Sequence, residues 1–271
     1  YSSHGRRGKA EEGVTYAPWW MPMMLGIAPL SHNGDVDDSI IPAAGYIPTS
    51  QPPPAYPGGM NAWYCSRTGA FDLASNTWQD CSGNGNTATL SGSGLVESRK
   101  AGHGATNEVL ALSGTTESVI SFGAVIPSAF TVCSVTRYTG GAQERILNGS
   151  PVNWLHGHHL GKAGVAYYEG WKTQEQNNVS PNTDWVVMCG SNAGSQLKLV
   201  NGVDVGTATG GTGGVSLFVN GEWYINGGWL HNNEKSDFAI AEVVVWPRGL
   251  TDDEMRGVSE DMMNRLGSPA P

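Results

Sequence analysis

Residues 236–267, SDFAIAEVVVWPRGLTDDEMRGVSEDMMNRLG, constrain this chain more than any other segment, because they read as a buried strand running into a capped helix. The stretch 239–246 is rich in β-branched side chains and its sole charged residue is Glu242, as expected for a strand covered on both faces. Pro247 withholds the donor that would extend the ladder, so the strand ends there. Thr251 and Glu254 stand at capping-box spacing, Asp252 and Asp253 sit at the positive end of the helix dipole, and Gly267 follows the last turn. Met255, Val258, Met262 and Leu266 recur every three or four residues, which gives the helix one apolar stripe to bury against a sheet.

The rest of the chain reads as strands and tight turns. Among 271 residues there are 38 glycines and only 14% charged side chains, a composition that excludes both a helical bundle and a disordered polymer. Strands are predicted over 109–112, 119–122, 130–138, 164–168, 185–189, 196–200, 215–219 and 238–246. Asn201-Gly202, Asn220-Gly221 and the glycines of 210–214 separate them. Asn201-Gly202 between Leu199 and Val203 predicts a hairpin turn with positive φ. A net charge of −9 repels phosphate backbones, so nucleic acid is not an expected partner.

Residues 1–58 differ from the remainder of the chain. They begin basic, with Arg6, Arg7 and Lys9, and end in QPPPAYPGG, without helical or strand periodicity between. Such a segment is expected to be an extended, Pro-rich docking arm, followed by the sandwich at 59–267 and a tail at 268–271. Trp19, Trp20, Met21, Met23, Met24, Leu25 and Ile27 are its candidate partner-docking residues, being large apolar side chains outside any complete element. The apolar run 17–30 is interrupted by Pro18, Pro22 and Pro29, so a transmembrane helix is not expected, and any membrane association would be peripheral. A start at Tyr1 rather than Met leads one to expect a processed protein or a fragment without its targeting peptide.

Cysteine usage points to an oxidising compartment, at the cell surface, outside the cell or in an organelle lumen. Cys65 and Cys81 bracket a turn-rich segment, Cys133 and Cys189 lie in apolar strands, and the chain lacks a Cys-x-x-Cys pair. Two disulfides are expected, with the connectivity open. Asn148-Gly149-Ser150 and Asn178-Val179-Ser180 are N-glycosylation sequons compatible with that compartment.

These phrases resemble the laminin-G-like, concanavalin A-like jelly-roll superfamily. The resemblance rests on Ala62-Trp63-Tyr64, on the segment from Trp78 through Asp80 and Cys81 to Asn86 with Ala88-Thr89, and on Phe130-Thr131-Val132 and Trp185-Val186-Val187. It continues through the hairpin at 197–202 and the closing strand and helix from Ala241 to Glu254. It implies an all-β fold, a two-layer antiparallel jelly-roll sandwich with a short C-terminal helix and the extended N-terminal arm. The architecture carries unrelated activities, so function has to be read from sites.

The glycosidases of this superfamily carry a Glu-x-Asp-x-x-Glu strand motif, which is missing here, and Glu234, Asp237 and Glu242 have the wrong alternation to enter one cleft together. Hydrolase activity is therefore the least favoured expectation. The segment Trp154-Leu155-His156-Gly157-His158-His159 puts His156 and His158 on one strand face, either as hydrogen-bonded structure or, without a third ligand, as a poor metal site. Trp154, His156, His158 and His159 with Trp171 and Trp229, both next to glycines, form the candidate ligand rim. Asp80 with the turn 82–86, and Asp237, are calcium candidates against a plain Asx turn, while Asp35, Asp37 and Asp38 depart from the calcium-loop spacing. The expected function is a non-catalytic recognition and assembly module. Its arm would dock the jelly roll to protein subunits of a larger, membrane-associated complex; the alternative is a carbohydrate-binding domain of lectin or adhesion type.

Overall fold

The computed structural model describes residues 55–221, 223–225, 229–231 and 233–268, with backbone alone at 223–225 and 229–231. The chain divides into Tyr1–Thr49 and Ser50–Pro271. The first unit, and with it the expected anchors from Trp19 to Ile27, lies outside the described residues, as does the side chain of Trp229.

Within the second unit, two antiparallel sheets form a sandwich. Sheet A contains β1 (Ala62–Tyr64), β5 (Val96–Gly102), β6 (Ala105–Gly114), β8 (Thr131–Tyr138), β12 (Val186–Ser191), β13 (Lys198–Val200), β14 (Val203–Asp204) and β18 (Phe238–Trp246). Its order is β14-β13-β12-β8-β18-β6-β5, with β1 also paired to β18. Sheet B contains β2 (Phe71–Asp72), β3 (Thr77–Trp78), β4 (Ala88–Gly92), β7 (Ser118–Ile126), β9 (Leu147–Ser150), β10 (Trp154–His159), β11 (Lys162–Tyr168) and β15 (Val215–Val219). Its order is β11-β10-β9-β15-β7-β4-β3-β2. A hairpin of β16 (Trp223–Ile225) and β17 (Trp229–His231) has β16 beside β9, and α1 (Asp252–Leu266) closes the fold. Every predicted strand is present; 215–219 and 238–246 keep their predicted bounds, and the others have shifted ends.

Strand β18 is buried along its whole length because it has a layer on each side. Phe238, Ile240, Val243 and Val245 enter the core between the sheets, whereas Ala239, Ala241, Val244 and Trp246 join the second core beneath α1. A bulge at Ala241, between Ile240 and Glu242 in the register with β8, resets the alternation and turns Glu242 to the helix side as well. There Arg265 meets Glu242 at 2.6 Å, and the Trp63 indole N–H donates to the same carboxylate at 2.6 Å. Tyr56 donates to Glu242 and accepts a close contact from Arg265, while the Trp246 indole donates to the Pro57 carbonyl at 2.8 Å. Residues 56–57 are thereby clamped over the helix end, beside a groove of about 640 Å³ bordered by Tyr56, Gly257 and Asp261.

The helix begins and ends as its sequence requires. Thr251 and Glu254 complete the capping box, Gly267 takes φ 71°, and Met255, Val258, Met262 and Leu266 are buried with Met263. Arg248 adds a bidentate pair to Glu254, both contacts at 2.7 Å. In the hairpin after β13, Asn201 and Gly202 adopt φ 47° and 80°, and Val200 pairs Val203. The cysteines pair as Cys65–Cys81 and Cys133–Cys189, and the second pair joins residues directly opposite one another on β8 and β12. No described helix is long and apolar enough to cross a membrane.

Candidate functional site

Strands β10 and β11 form the outer edge of sheet B, joined at Leu160-Gly161, where both residues take positive φ. Alternation along β10 sends Trp154, His156 and His158 inward, and His159 falls on the other face after a bulge at Gly157/His158. This corrects the sequence expectation for three rim candidates: Trp154, His156 and His158 are each 0% exposed and belong to the interior. Trp154 stacks on Tyr168 with ring centroids 5.0 Å apart. His156 Nε2 lies 3.2 Å from the Met188 carbonyl and its Nδ1 lies 2.8 Å from the Tyr168 hydroxyl. That network assigns the proton to Nε2 and makes Nδ1 the acceptor, so neither nitrogen is left for a metal. Burial lowers the pKa of His156 to about 4 and that of His158 to about 3, which keeps both rings neutral at pH 7.

The half-buried side chains on the outer face are His159, Tyr167 and Trp171. Tyr167 and Trp171 face each other through an isolated bridge, with ring centroids 5.2 Å apart at 81°. His159 lies 6.1 Å from Trp171. Beside them Arg145 is ion-paired to Glu234 at 2.5 Å and donates to Asn153 Oδ1 at 2.7 Å. His159 is held below the usual imidazole range, first by burial and then by the Arg145 charge. Glu144 is pushed up by burial and by its neighbour Glu234. The His159 Nδ1 atom is buried without a partner, and neither the Tyr167 hydroxyl nor the Trp171 indole N–H hydrogen-bonds among the described residues. An aromatic corner with two accessible unspent polar groups, the Tyr167 hydroxyl and the Trp171 indole N–H, can stack on an apolar ring face and hydrogen-bond to its substituents.

The other sequence candidates lie elsewhere. Asp80 Oδ1 accepts from the N–H groups of Trp63 and Ser82 at 3.0 and 2.9 Å, and Oδ2 accepts from Asn86 at 2.9 Å. Its carboxylate organises an Asx-type turn, and these bonds outweigh burial to hold its pKa below the ordinary value. Asp237 accepts from Ala142 at 3.1 Å and fixes a different loop. Among the described residues, no group of three His, Cys, Asp or Glu side chains is placed to hold a metal ion. Asn148 is 0% exposed within β9, so its sequon is closed in the folded chain, whereas Asn178 is exposed. Sequence reasoning missed Tyr167 and the buried Lys172 and Lys198; the signal for Tyr167 was its position one residue out of phase with the inward Ala166 and Tyr168.

No protein-family model matches the chain, and no curated protein matches it. Among solved structures, domain 4 of AbnA, a GH43 extracellular arabinanase from Geobacillus stearothermophilus solved with arabinotriose, aligns at 16% identity and a TM-score of 0.48, covering 74% of this chain and 98% of that one. The binding domain of Paraclostridial Mosquitocidal Protein 1 aligns at 12% identity and a TM-score of 0.45, covering 76% of this chain and 53% of that one. Trypanosoma rangeli sialidase aligns at 11% identity and a TM-score of 0.43, covering 76% of this chain and 33% of that one. At these scores the likenesses assign neither a ligand nor an activity, and the chain spans about half and about a third of the last two proteins.

Proposed function

We propose that this chain is a non-catalytic recognition module of the laminin-G-like, concanavalin A-like kind, and that it binds carbohydrate at the β10–β11 edge. The observation that carries this reading is the corner of Trp171, Tyr167 and His159, in which the Tyr167 hydroxyl and the Trp171 indole N–H have no partner among the described residues although the rings are half buried. A pyranose presents an apolar face of C–H groups ringed by hydroxyls, and this corner offers the complement of both. The acidic groups that sequence singled out support binding without turnover: Glu242 is occupied by Arg265 and Trp63, Glu234 by Arg145, and Asp237 by its loop.

Glycan-array screening followed by calorimetry on the best neutral sugar tests the reading. Trp171→Ala should abolish binding while leaving the thermal midpoint within a few degrees, since Trp171 is half exposed. Unchanged affinity in Trp171→Ala and Tyr167→Ala would refute it.

Assembly through the arm is the companion reading, supported by the clamp at Tyr56 and Pro57 that fixes where the preceding chain joins the sandwich. Deleting residues 1–54 should release the protein from its complex with the sandwich still folded; continued co-purification would end that idea.

A further inference from the structure

Strand β5 is one edge of sheet A, and its outer side carries no strand among the described residues. All seven of its residues except Ser98 are exposed, Val96 at 57%. It pairs with β6 along one side, and the backbone groups of 96–101 that turn the other way hydrogen-bond to nothing among the described residues. A row of free N–H and C=O groups on an exposed edge is a template for a further strand.

Charged side chains on an edge ordinarily deter such pairing, but here their order selects a partner. Glu97 and Arg99 share one face of β5, opposite Leu112 and Leu110 of β6, and Val96, Ser98 and Lys100 share the other. The Glu97 carboxylate has no hydrogen bond or ion pair among the described residues, and Arg99 spends one nitrogen on the Thr68 hydroxyl at 3.0 Å. A second copy that continues the sheet antiparallel is related by a twofold axis perpendicular to it, which keeps every side chain on its own face. The axis must then pass through a residue opposite itself, because a register displaced by one residue would set one face against the other. Centred on Glu97 or on Arg99, the pairing brings like charges face to face. Centred on Ser98, it sets Glu97 opposite Arg99 twice and Val96 opposite Lys100 twice, so that lysine methylenes cover the exposed valine.

We propose that β5 pairs with β5 of a second copy of this chain, antiparallel and centred on Ser98, and so joins two copies of sheet A into one. Strand β11 packs against β12, towards the far edge of sheet A from β5, so the Trp171 corner stays open in both copies. One strand pair falls at the small end of protein interfaces, so association is weak and reversible, on the order of 100 µM.

Sedimentation equilibrium of the whole chain between about 10 µM and about 1 mM tests this, with a monomer–dimer equilibrium as the expected result. Glu97→Arg or Arg99→Glu alone turns two attractive pairs into two like-charge pairs and should weaken the dimer at least about tenfold. Glu97→Arg/Arg99→Glu exchanges the charges in the same register and should return to within about threefold of the parent. Mixing the two single variants should give a mixed dimer, since each supplies the charges that the other lacks. Both single variants should melt like the parent, because both side chains are exposed. Trp171→Ala should leave association unchanged, which separates this surface from the sugar reading. A chain that stays monomeric across the range, a dimer indifferent to both single reversals, or a double variant no tighter than the singles would overturn the proposal.

Discussion

Acidification should destabilise this sandwich through its two interior histidines, beginning as the pH falls below about 6.5. His156 faces Tyr168, the Met188 carbonyl and Lys198, and His158 faces Tyr138 and Thr136, so neither ring has a carboxylate to stabilise a positive charge. Their folded pKa values, about 4 and about 3, lie below the ordinary 6.5. The unfolded chain therefore binds more protons, and stability must fall as pH drops from 6.5 towards those folded values. At pH 4.5 each ring contributes a loss of about 2 to 3 kcal/mol, or about 5 kcal/mol together, by linkage. That is comparable to the whole stability of a marginal domain. Urea unfolding at pH 7.5 and 4.5 reads it directly: with a slope of about 2 to 3 kcal/mol per molar, the midpoint should drop by about 2 M. His103 and His159 are also lowered chiefly by burial, so the decisive comparison is with His156→Gln/His158→Gln, which retains both. The double variant should lose much less between the two pH values. An equal loss in both proteins, or a parent whose midpoint does not move, would refute the argument.

Two further outcomes concern the core beneath the helix and the disulfides. Arg265→Met leaves the Glu242 carboxylate, 2% exposed, without its cation and should cost about 3 to 5 kcal/mol in urea unfolding, much of it recovered in Arg265→Met/Glu242→Gln. Full cost in the double variant would show that Arg265 acts through packing instead. Cys133→Ala/Cys189→Ala opens a loop of 56 residues and Cys65→Ala/Cys81→Ala one of 16, so chain entropy predicts losses of about 4 and about 3 kcal/mol. The reverse ranking in thermal unfolding would mean that residual structure in the unfolded chain, and not loop length, sets the cost.

What was legible in the sequence was local, and what was not depended on distant partners. The closing strand and helix were read nearly to the residue because each boundary has its own signal: Pro247 stops the ladder, Thr251 with Glu254 starts the helix, and Gly267 ends it. The bulge at Ala241 has no such signal, yet it alone turns Glu242 from an apparently misplaced acid into the partner of Arg265. The same limit governs the site. Placing His156 and His158 on one face follows from a period of two, but which face is buried was set by Tyr168 and Met188, on strands β11 and β12. Polar residues at core positions invert the pattern from which burial is read, and this sandwich has several in its interior: His156, His158, Thr136 and Lys198. Sandwich interiors rarely keep such groups without a hydrogen-bonding or electrostatic reason. His156 satisfies both nitrogens within the fold, and Lys198 turns its ammonium onto the Gln196 carbonyl at 3.1 Å with the Asp204 carboxylate nearby.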